Sequence, residues 1–89
     1  MATVIINHQI ADYKKWRHIF DADLPRRQQA GLSNERVFRS ANDPNNIYMM
    51  MDTADPSAAN KMMEDPDLAA KMKEAGVISK PTVSVLNPA

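Results

Sequence analysis

Both histidines, the only tryptophan and one of the two tyrosines stand close together: His8, Tyr13, Trp16 and His18. A neutral imidazole can serve as acid, base or ligand near physiological pH. Indole and phenol rings can wall an apolar cavity and point one proton at its occupant. His8 is therefore the candidate catalytic group, as general base or orienting donor, and Tyr13 and Trp16 are candidate ligand-binding walls. A plainer reading exists for each. His8 could hydrogen-bond the backbone or Asp12 and fix a corner, while Tyr13, Trp16 and Phe20 at helical spacing could be core. His18 lies two residues from Trp16, off the apolar stripe and beside Lys14 and Arg17, which places it in solvent. Asn7 points away from His8 in a regular strand, so the two do not form a dyad within one subunit.

Methionine supplies the second candidate surface. Of seven, three are consecutive at Met49–Met51, and Met62, Met63 and Met72 follow. Thioether side chains adapt to irregular shapes. They suit plastic core packing or a soft pocket for a flat apolar molecule, to which Arg39 and Tyr48 could add polar contacts. Other chemistries lack their residues. There is no cysteine, no His-x-x-x-His and no glycine beyond Gly31 and Gly76. That argues against a thiolate nucleophile, a metal site and a phosphate-cradling loop, and no cofactor is expected. The serines have no nucleophile-elbow context.

Eleven basic and eleven acidic residues cancel, which gives no support to nucleic-acid binding. The first strand offers no aromatic residue and the third only Tyr48, too few to stack RNA bases. No apolar run approaches the roughly 20 residues of a membrane span, and the N-terminus does not read as a signal peptide. A soluble cytoplasmic protein is expected.

The elements that would position these groups follow from patterning. Thr3–Gln9 reads as a strand with Val4 and Ile6 on one face and Ile5 on the other. Asp12 is an N-cap for a helix striped by Tyr13, Trp16, Phe20 and Leu24. Pro25 should interrupt it, a last turn should run over 26–30, and Gly31 should end it. Residues 35–40 form a second strand, 42–46 a turn and 47–52 a third strand. Asp55-Pro56 and Asp65-Pro66 each offer an N-cap followed by an N1 proline, which predicts a second helix in two pieces closed by Gly76. Thr82–Leu86 is a last strand with Val83 and Val85 on one face. The order βαββαβ in one domain over 1–89 is the α+β, ferredoxin-like arrangement: a four-stranded antiparallel sheet with both helices on one face. Strands apolar on both faces leave the other face uncovered. A chain this short also buries little surface alone. Together these predict a homodimer that packs sheet against sheet.

The runs His8–Trp16, Phe20-Asp21, Arg26 and Gly31, then Arg36–Ser40 with Asp43-Pro44-Asn45, and Ala75-Gly76-Val77 with Pro81, carry a resemblance over nearly the whole chain. The sequence resembles the antibiotic-biosynthesis-monooxygenase-like branch of the dimeric α/β barrels. The resemblance implies that fold, a dimer, and a flat apolar ligand held between helices and sheet. Asn7 looks like the asparagine used by the cofactor-free monooxygenases of that superfamily. Its third strand here has no tryptophan, and residues 55–75 contain no histidine to match the haem ligand of other relatives. Two functional expectations follow. One is a small-molecule site centred on His8, with cofactor-independent oxygenase, isomerase or cyclase activity. The other is a non-catalytic ligand-binding or structural dimer.

Overall fold

The computed structural model describes residues 1–89. In chain order the elements are β1 (Ala2–Gln9), α1 (Tyr13–Ala22), α2 (Leu24–Gln29), β2 (Leu32–Arg39), β3 (Asn46–Thr53), α3 (Ala58–Met63), α4 (Pro66–Glu74) and β4 (Thr82–Leu86). The strands form one antiparallel sheet in the order β2-β3-β1-β4. This is the ferredoxin-like α+β fold expected from the βαββαβ pattern.

Alternation along β1 decides which side chains meet the helices. Val4, Ile6 and His8 are buried, while Ile5, Asn7 and Gln9 on the opposite face are only half-buried. Register extends that buried row across the sheet: Val4 lies opposite Met51 and Val85, Ile6 opposite Met49 and Val83, and His8 opposite Ile47. Val4, Ile6, Ile47, Met49 and Met51 of this row join Trp16 and Phe20 of α1, Ala58 and Ala59 of α3, and Ala75 in one core, with Val83 and Val85 packed against it. No helix is long and apolar enough to cross a membrane.

Local chemistry sets the helix ends. The Asp12 carboxylate accepts from the Lys14 N–H at 3.1 Å and starts α1. α1 stops at Ala22 and α2 restarts at Leu24, because Pro25 tolerates only the first turn of a helix. Gly31 turns the chain out of α2 with φ +81°, a left-handed conformation that costs glycine little. Asp65 caps α4 through the Asp67 N–H at 2.9 Å, with Pro66 as its first residue.

Most strand ends lie within one residue of the sequence expectation, and the starts of β2 and α3 differ more. β2 begins at Leu32 instead of residue 35, and its register shifts between Ser33 and Arg36, with Asn34 at φ +51°. The irregular, polar Ser33-Asn34 step reads as loop although the chain is already paired there. α3 begins at Ala58 and not at the Asp55-Pro56 step. The Asp55 carboxylate closes a tight turn instead, accepting from both the N–H and the hydroxyl of Ser57.

Candidate functional site

His8 sits near the end of β1 with 4% of its surface exposed. Both of its ring nitrogens are buried, and neither has a hydrogen-bond partner in the protein. The Asp12 carboxylate that could have held it is committed to the start of α1. Trp16 stands edge-on to the imidazole, with ring centroids 5.8 Å apart and planes at 85°. Burial pushes the His8 pKa down to about 4, so the ring is neutral at pH 7. A neutral imidazole has one N–H donor and one acceptor nitrogen, and here both are unspent. Leaving a buried polar group unpaired costs about 1–3 kcal/mol.

The imidazole faces an apolar cavity of about 60 Å³ between the sheet and the helices. Ile6, Met49 and Met51 form its floor; Trp16, Ile19 and Phe20 of α1 form one wall. Leu68, Met72 and Ala75 form the facing wall, and Met62 and Met63 of α3 close one end. Pockets for drug-sized molecules span about 300–1,000 Å³, so an occupant must move side chains. Five of the lining groups are methionines, the side chains best able to re-pack around a guest.

Four polar or charged side chains line this space: His8, Asp23, Arg27 and Lys71. Arg27 is buried and held by Glu35 at 2.6 and 3.2 Å and by the Phe20 carbonyl at 2.8 Å. Its guanidinium also lies 3.7 Å from the Phe20 ring centroid. Asp23 accepts from Arg26 at 2.9 Å.

Of the candidates taken from the sequence, the fold brings His8 and Trp16 together at the cavity and sets the others outside it. Tyr13, one turn before Trp16, lies past the cavity's edge. Its ring is 5.8 Å from that of Trp16 and is covered by the Arg39 guanidinium at 4.1 Å. Arg39 is occupied there and donates to the Pro44 carbonyl at 2.7 Å. Tyr48 pairs in register with Asn7 and so shares its face, opposite to that of His8. It is 38% exposed and is not among the cavity-lining residues. Tyr48 is therefore on the opposite face of the sheet from His8, whereas Arg39 lies in the same register row as His8 but two strands away, across Ile47. His18 is exposed as expected, and nowhere do three or more His, Cys, Asp or Glu side chains gather as a metal site. Arg27 and Lys71 also line the cavity, although neither is a candidate from the sequence. Lys71 shares the i, i+3, i+4, i+7 face of Leu68, Met72 and Ala75, which was a usable signal. Arg27 left none, since a buried paired arginine reads as one more surface charge.

No protein-family model matches this chain, and no curated protein matches it either. Solved structures of the same fold do. An antibiotic biosynthesis monooxygenase superposes with TM-score 0.71 at 14% identity, covering 100% of this chain and 99% of that one. SnoaB, a cofactor-independent oxygenase from Streptomyces nogalater, gives 0.69 at 10% identity, covering 98% and 91%. A monooxygenase from the gene ActVA-Orf6 of Streptomyces coelicolor, solved in complex with nanaomycin D, gives 0.65 at 12% identity, covering 99% and 87%. Over its whole length, the chain is similar in fold to antibiotic-biosynthesis-monooxygenase-like proteins.

Proposed function

We propose that this protein binds a small apolar or aromatic molecule in the cavity beneath α1 and α4, and that His8 is the group that recognises it and exchanges a proton with it. The observation that carries this reading is a buried imidazole with two unpaired nitrogens facing an apolar, methionine-lined space. A hydroxyl or enol on the ligand satisfies it by donating to one nitrogen. The fold neighbours support a small-molecule role, since one is named as a cofactor-independent oxygenase and another was solved with a bound ligand.

The depressed pKa shapes the chemistry. Protonating a group whose pKa has moved from 6.5 to about 4 costs about 3 kcal/mol more than in water. Proton transfer to His8 is thus productive only if the ligand becomes an anion that pairs with the new imidazolium. In that step the ligand's O–H or acidic C–H bond breaks, the proton goes to a His8 nitrogen, and the electron pair stays on the ligand. A conjugated anion of this kind can isomerise, cyclise or react with dioxygen without a cofactor. The same cost favours a second reading, in which His8 only hydrogen-bonds its ligand and the protein is a non-catalytic binder.

Two small probes test the binding claim. Wild-type protein should bind 2-naphthol about tenfold more tightly than naphthalene, the worth of roughly one hydrogen bond. His8→Phe should keep naphthalene binding and lose the preference. Equal affinity for the two compounds in the wild type would remove His8 from ligand recognition.

Assembly belongs to the same reading. On the face of the sheet away from the helices, Phe38 is 49% exposed and Leu86 48%, beside Tyr48 and half-buried Ile5 and Met50. A second copy of the chain packing on this face would cover them and complete a dimeric barrel.

A further inference from the structure

We propose that Lys71 forms an anion subsite at the rim of the cavity, so that the ligand is an acid: an apolar body with a hydroxyl or carbonyl at the His8 end and a carboxylate at the Lys71 end. The inference rests on the small-molecule reading above and names its ligand class. The charges around the cavity carry it. Arg27 is paired with Glu35, and Asp23 is held by Arg26, which it shares with Asp65 and Asp67. Lys71 alone has no such partner. Its ammonium comes no closer than 3.9 Å to Glu74, and both of those side chains are about half exposed. An exposed pair at that distance contributes little to folding. Yet Lys71 projects from the wall that carries Leu68, Met72 and Ala75, and it lines the cavity with them. A lysine stem can lie along apolar surface while its charged head remains in water. The arrangement puts a cation where a ligand emerging from the cavity would reach solvent. It also leaves the neutral imidazole as the only unspent polar group deeper inside.

Trp16 is the only tryptophan and lines the cavity, so its indole N–H resonance reports occupancy directly. Titrations would use 6-hydroxy-2-naphthoic acid and its neutral primary amide at neutral pH. The acid should bind about threefold to tenfold more tightly than the amide. Lys71→Met should abolish that preference, read as the ratio of acid to amide affinity, while Lys71→Arg should retain it. Equal binding of acid and amide to the wild type, or a preference that survives Lys71→Met, would overturn the Lys71 assignment and leave the small-molecule reading standing. If neither compound moves the Trp16 resonance, the cavity reading fails and this inference fails with it.

Discussion

A buried imidazole bonded to nothing in the protein makes His8 a costly residue for stability, and its cost depends on pH. Its folded pKa of about 4 lies below the ordinary 6.5, so between those values the unfolded chain binds more protons than the folded one. Stability is therefore complete above about pH 6.5 and falls as pH drops toward 4, by up to about 3 kcal/mol. Denaturant titrations across that window should show this loss in the wild type, and His8→Phe should remove His8's share of it. Identical pH dependence in both proteins would mean that His8 titrates normally. At this scale the sequence was partly legible. Clustering of His8 with Trp16 at one strand–helix corner was visible in the spacing, and alternation correctly put Asn7 on the far face. Tyr48 was not legible, because Ile47, Tyr48, Met49, Met50 and Met51 are apolar at both parities. Only pairing with β1 reveals that Met49 and Met51 face the helices.

The helices are held in place by specific clamps as well as by packing. Tyr13, Trp16 and Phe20 stack along α1, with Arg39 over one end and Arg27 over the other. Arg26 of α2 reaches across to the start of α4. It binds Asp65 at 2.6 Å and Asp67 while also holding Asp23 at 2.9 Å. Donating hydrogen bonds to Asp67 and then Asp23 raises its pKa above the ordinary arginine value. Replacing it leaves three carboxylates without their shared cation, so Arg26→Met should cost about 1–2 kcal/mol in denaturant unfolding. Amide exchange should accelerate most in α4. An unchanged α4 would show that the ion cluster is surface decoration. Capping and proline signals were legible for α1, α2 and α4, because each rests on a local rule. The start of β2 and the cap of α3 were not, since a bulge and a three-residue turn depend on what the chain pairs with.

The proposed dimer and the proposed ligand site both depend on the molecule as a whole. Covering the outer face by a second copy predicts a two-chain mass in sedimentation equilibrium. Phe38→Lys should shift it to one chain without unfolding, whereas a wild type that remains monomeric at high micromolar concentration would contradict the dimer. The ferredoxin-like order was legible because four strands and a twice-broken helical pattern leave few ways to connect them. The cavity was legible only in its composition, as a surplus of methionine. Its position depends on how α1 and α4 settle over β1 and β3. The central claim is that His8 meets a ligand there, and the crystal structure of the protein with 2-naphthol tests it most directly. The naphthol ring should lie between the helices and the sheet, with its oxygen within about 2.6–3.2 Å of a His8 nitrogen. A naphthol bound only on the outer face of the sheet, with the cavity closed and His8 unpaired, would contradict it.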